Sequence, residues 1–152
     1  MAIDNSDVIS TLNNLIETCK DGQNGFQTAA DGVKNAELKT LFHTYGQQRA
    51  QFAGELQAEV RRLGGDPEQT GSVAATLHRG WINIKSAVTG EDEAAVISEC
   101  ERGEDSAVRN YQEAINAGLP ADVRAIVERQ YTEVKEAHER IRALERVSGA
   151  GA

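Results

Sequence analysis

The chain has 152 residues and a net charge of −8 from 24 acidic and 16 basic side chains, so a nucleic-acid phosphate backbone would repel it overall. Hydrophobic residues make up 39% and charged residues 26%, which suits a soluble globular chain and excludes a disordered one. The length fits one domain over residues 1–152, and no apolar run nears the roughly 20 residues of a membrane span.

Proline occurs only at Pro67 and Pro120, which favours long helices, and no strict alternation persists long enough to propose a strand. The first helix is expected to start at a Ser6 cap with Asp7 in its first turn. Its stripe reads Val8, Leu12, Leu15, Cys19, Gly22, Phe26, Ala29 and Val33. After a turn at residues 31–35, Asn35 can cap a second helix with the stripe Leu38, Phe42, Tyr45, Arg49, Phe52, Leu56 and Leu63. Gly64-Gly65-Asp66-Pro67 stops it.

A shorter helix over about 72–88, capped by Ser72, carries Val73, Leu77, Trp81, Ile84 and Val88 on one face. Trp81, with Leu77 and Ile84, either staples this helix to the rest or packs against a second copy of the chain, since aromatic residues favour interfaces. His43 and His78 read as polar-face histidines. Glu91-Asp92-Glu93 open a third long helix that runs to about Ala117, with Ile97, Cys100, Glu104, Ala107, Tyr111 and Ile115 in line. Glu99 and Glu101 read as solvated charges of that helix. The last helix starts near Pro120 with the stripe Val123, Val127, Tyr131, Val134, His138, Ile141 and Leu144. The tail over 147–152 is expected to fray.

Two helical hairpins joined by a long helical connection give an all-α four-helix bundle with one crossover between helices two and three, the topology of ferritin-like folds. The hairpins also echo one another. "NGFQTA" at 24–29 aligns with "RNYQEA" at 109–114, which sets Cys19 opposite Glu104. In the second helices, Arg49 matches Lys135 and Phe52 matches His138.

The segments "CKDGQNGFQTAA", "QQRAQFAGEL", "HRGWINIK" and "ERGEDSAVRNYQEA" carry a resemblance to the ferritin-like superfamily. Within it, the chain resembles an uncharacterised bacterial family of four-helix-bundle proteins, a domain of unknown function. Di-iron members of the superfamily use one Glu from each of two helices and Glu-x-x-His from each of the other two. Here helix one offers Cys19, helix two Arg49-Ala50-Gln51-Phe52, helix three Glu104, and helix four Lys135-Glu136-Ala137-His138. One carboxylate beside two cations cannot offset two divalent ions. The expectation is therefore a buried polar cluster of Arg49, Glu104, Lys135, His138 and Cys19, with Glu104 facing Arg49 and no catalytic residue. Gly103 leaves open a bulge that would rotate this register.

No P-loop, dinucleotide fingerprint, HExxH or CxxC pair is present. Cys19 and Cys100 lie on apolar stripes without a His or Asn partner at readable spacing and read as buried free thiols. With the "MAIDNSDVIS" start lacking a basic and apolar leader, they point to a cytoplasmic address. The reading expects no cofactor, nucleic acid or membrane partner, and leaves homo-oligomerisation open. It favours a structural, interaction or stress-associated bundle over an enzyme. The competing reading is a divergent metal-binding or oxidase-like protein that holds iron or manganese on Glu104 and His138. A small-ligand carrier is a third.

Overall fold

Two helical hairpins make up the protein in the computed structural model, which describes residues 3–67 and 81–147. The elements are α1 (Asn5–Gly32), α2 (Ala36–Arg62), α3 (Ile84–Thr89), α4 (Glu93–Ile115) and α5 (Ala121–Val147). α1 packs on α2 and α4 on α5; the hairpins meet mainly through α1 and α4, with α3 laid against both. This is the ferritin-like arrangement, all-α and without a strand among the described residues. None of the described helices is long and apolar enough to cross a membrane.

The helix ends follow local chemistry. Asn35 Oδ1 accepts from the backbone N–H groups of Glu37 and Leu38 at 2.9 and 3.1 Å, which satisfies two donors that the first turn of α2 leaves open. Asp92 does the same for Ala95 at α4. Gly64, at φ +86°, closes α2 while the Gly65 N–H reaches the Val60 carbonyl, a turn that costs a residue with a Cβ dearly. Ser6 is not the cap of α1: the cap position is Asp4, two residues earlier, whose carbonyl accepts the Val8 N–H.

The crossover departs from the expected continuous helix. Residues 81–83 form a tight turn and α3 starts only at Ile84. Glu99 of α4 fastens this turn: its Oε2 accepts the Asn83 backbone N–H at 2.7 Å, a donor that a continuous helix would use internally. Glu99 is thus buried and structural, not the solvated charge its sequence neighbourhood suggests. Ser72, Val73, Leu77 and His78, and the tail from residue 148, lie outside the described residues.

Every residue of the α1 stripe is buried, as are Leu38, Phe42, Arg49, Phe52 and Leu56 of α2. The apolar interior falls into two clusters. One runs from Val8 to Cys19, Phe52 to Val60, Ala107 to Leu119 and Val123 to Val134. The other gathers Phe26 to Val33, Leu38, Phe42, Ile84, Val96 to Cys100, and Ile141. Between them lies one layer holding Gly22, Arg49, Glu104 and His138, one from each long helix.

Candidate functional site

Within that layer, Arg49 of α2 and Glu104 of α4 are 1% and 0% exposed. Arg49 Nη1 donates to Glu104 Oε1 at 2.5 Å and Nη2 to Oε2 at 2.7 Å, a two-pronged contact that the planar guanidinium is shaped to make. Gly22 of α1 makes room for it: a Cβ there would sit 3.2 Å from Arg49 Cγ. Phe26 lies under the guanidinium, 5.5 Å from ring centroid to Cζ. Burial opposes the charge on Arg49, but the attraction and hydrogen bonds of Glu104 outweigh it, so the pKa of Arg49 is raised. The arrangement is an internal ion pair with both members committed to one another.

About two turns further along the same helix, Tyr111 Oη donates to Gln130 Oε1 at 2.7 Å. Gln130 is held in that orientation because its Nε2 donates to Glu55 Oε1 at 2.8 Å and to the Phe52 carbonyl at 3.4 Å. Since the Tyr111 proton is engaged, the 3.2 Å contact between Cys19 Sγ and Tyr111 Oη has the thiol as donor. Burial, offset only in part by Tyr111 and Arg49, pushes the Cys19 thiol up to about 11. Burial, and then the neighbouring Cys19, raises Tyr111 well above the usual phenol value. Burial likewise raises Cys100, with Glu104 and Glu99 adding to the shift. Neutral thiols of this kind are poor nucleophiles.

The expected five-residue cluster is therefore divided. Arg49 and Glu104 come together, and Cys19 lies close enough to feel both charges. Lys135 does not join them. It is exposed on α5, its Nζ 5.4 Å from the centre of the Tyr131 ring, because its long stem lies along the outer helix face instead of entering the core. His138 occupies the layer but turns to the α4–α5 seam, where its Nε2 is 3.3 Å from Glu101 Oε1 and 3.5 Å from Asp105 Oδ1. Glu104 and His138 thus serve separate contacts and do not form the shared ligand pair of the metal reading.

α4 is regular through Gly103, with no bulge. That glycine instead faces Trp81. A Cβ at Gly103, or at Gly25 across on α1, would overlap the Trp81 indole, which fills the gap between the two helices. The ring also meets Phe26 edge-on, with centroids 5.0 Å apart and planes at 69°. Ile84 is buried in the same cluster.

A dinuclear metal centre does not fit these residues. The superfamily site draws carboxylates from all four helices, whereas this layer holds a single axial carboxylate whose two oxygens are both bound to a permanently charged guanidinium. Sequence reasoning could reach Glu104 and Arg49 because both lie on apolar stripes. It missed Gln130, a polar residue buried one position before Tyr131, and the Glu101/Asp105 pair, whose i,i+4 spacing toward a stripe histidine was the available signal.

No curated protein sequence matches the chain. A two-domain protein from Anabaena variabilis, containing DJ-1/ThiJ/PfpI-like and ferritin-like domains, shares its fold with a TM-score of 0.79 at 18% identity over 97% of this chain. The chain spans 41% of the length of that protein. Residues 7–117 match the family model described as a domain of unknown function, DUF2383. The chain thus belongs to the DUF2383 family, on a ferritin-like bundle.

Proposed function

We propose that the protein is a non-catalytic ferritin-like bundle with a structural or protein-interaction role, in which an internal Arg49–Glu104 ion pair stands where relatives of this fold place a dinuclear metal centre. The observation that supports this reading is the full commitment of the buried Glu104 carboxylate to Arg49 at 2.5 and 2.7 Å. Oxidase chemistry on two irons needs several carboxylates to hold and balance the ions, and the axis supplies one. The buried cysteines and Tyr111 are held neutral, so none of the three is a ready nucleophile or base.

The test is metal analysis of protein prepared without chelators or a metal-affinity tag, together with oxygen uptake after anaerobic addition of ferrous iron. The reading expects no pair of iron or manganese ions per chain and no oxygen consumption above free iron. Two ions per chain that disappear in the Arg49→Met/Glu104→Leu double variant would overturn it.

A further inference from the structure

Away from the axis, three side chains among the described residues converge on one point. Glu101 and Asp105 stand one turn apart on α4, His138 faces them from α5, and their ligand atoms all lie within 4.8 Å of one another. His138 is 8% exposed. Its Nε2 is buried and makes no hydrogen bond, although Glu101 Oε1 and Asp105 Oδ1 are 3.3 and 3.5 Å away. Neither contact has hydrogen-bond alignment. A buried ring nitrogen placed between two carboxylates without bonding to either is aimed at something they share.

We propose that Glu101, Asp105 and His138 bind one divalent transition cation of the zinc type at the α4–α5 seam, with water or an external ligand completing its coordination. Two of the three separations match this assignment, and the two carboxylate oxygens, within 4.8 Å of one another, close on the ion by side-chain rotation. Nitrogen and oxygen ligands about 2.0–2.1 Å from a tetrahedral zinc stand about 3.3–3.4 Å apart, and the two nitrogen–oxygen separations here are 3.3 and 3.5 Å. Charge agrees with spacing, because two carboxylates and a neutral imidazole balance a divalent ion. The donor types, an imidazole with two carboxylates, suit zinc and its neighbours better than calcium or magnesium. Glu139 Oε1 lies 3.8 Å from His138 Nδ1, on the side where a metal-bound imidazole carries its proton and commonly meets a carboxylate. Asp105 is 56% exposed, which gives the ion a path from solvent. The site is independent of the axial pair, since Glu104 contributes nothing to it.

Full-length, untagged protein stripped of metal is titrated with cobalt(II) alone, followed by visible absorption, and then with zinc to displace it. Zinc affinity is measured by competition dialysis. The expected result is one ion per chain, a cobalt spectrum of low coordination number abolished by zinc, and zinc affinity reduced at least about 10–100-fold in Asp105→Asn and Glu101→Gln. Both substitutions lie on the surface side of the cluster, and circular dichroism verifies that each variant folds. His138→Gln is expected to abolish the cobalt spectrum. The Arg49→Met/Glu104→Leu variant is expected to bind as wild type does. No saturable one-to-one binding, or wild-type affinity in Asp105→Asn and Glu101→Gln, overturns the site. Binding lost in the axial double variant but kept in Asp105→Asn overturns it too, and in that case moves the metal to the bundle axis.

Discussion

Replacing Glu104 with Gln keeps the size of the side chain and removes its charge, so it isolates what the carboxylate does for Arg49. In the folded protein the guanidinium would remain 1% exposed with no anion on its two donors. One Gln oxygen can accept from Nη1 or Nη2, but the amide NH₂ then faces the other prong. Removing one partner of a buried pair costs about 3–5 kcal/mol, mostly the cost of leaving the other charge stranded. For a chain of this length each kcal/mol shifts the melting temperature by about 2–4 °C, so Glu104→Gln should melt about 6–20 °C lower. Arg49→Met strands the carboxylate instead and should cost a similar amount. The Arg49→Met/Glu104→Leu variant, with an apolar layer of comparable volume, should recover to near or above the wild-type midpoint. Urea unfolding at fixed pH, followed by far-ultraviolet circular dichroism, gives the full double-mutant cycle, provided the denaturant slope is unchanged. A Glu104→Gln variant within about 0.5 kcal/mol of wild type, where ordinary surface changes fall, would refute the stranded-charge account.

Alkaline pH should weaken the fold through its buried thiols and phenol. Cys19 is raised to about 11 in the folded state from an unfolded value near 9, so the folded chain holds its proton more tightly. That stability is fully present below about pH 9 and is lost as pH rises toward 11, on the order of 2–3 kcal/mol for this group. Raised values at Tyr111 and Cys100 act with the same sign. Unfolding midpoints measured from pH 8 to 11 should therefore fall, less so in Cys19→Ser; a flat profile would contradict the assignment. Gly103→Ala would gain about 1 kcal/mol of helix propensity, yet its methyl would overlap Trp81. The net change should be destabilising, with the emission of this single tryptophan shifted to the red. An unshifted spectrum together with a higher melting temperature would show that the indole does not need the gap.

The four long helices were legible because apolar residues recur on one face of each for more than twenty residues, a signal that local detail cannot disguise. The Arg49–Glu104 contact was legible for the same reason, since charges standing on two otherwise apolar stripes of one bundle have few partners besides each other. His138 and Lys135 misled because a stripe position fixes the direction of the Cα–Cβ bond and not where a long or planar side chain turns. His138 rotates toward carboxylates one helix over, and Lys135 follows its own helix outward. At the break before Ile84, Glu99 reaches the Asn83 backbone across sixteen residues, and no local pattern encodes a contact of that kind.

A layer of charge between two apolar clusters also acts as a ruler. Apolar heptads tolerate sliding, because one aliphatic side chain can replace another at modest cost. If α4 slipped by a turn against α2, Cys100 or Val108 would take the place of Glu104 and the guanidinium of Arg49 would face hydrocarbon. The penalty is that of an uncompensated buried charge, about 3–5 kcal/mol, charged against the shifted alignment and not against the native one. The ion pair joins one helix of each hairpin, and together with the Cys19–Tyr111 and Gln130–Phe52 contacts it fixes where the hairpins stop against one another.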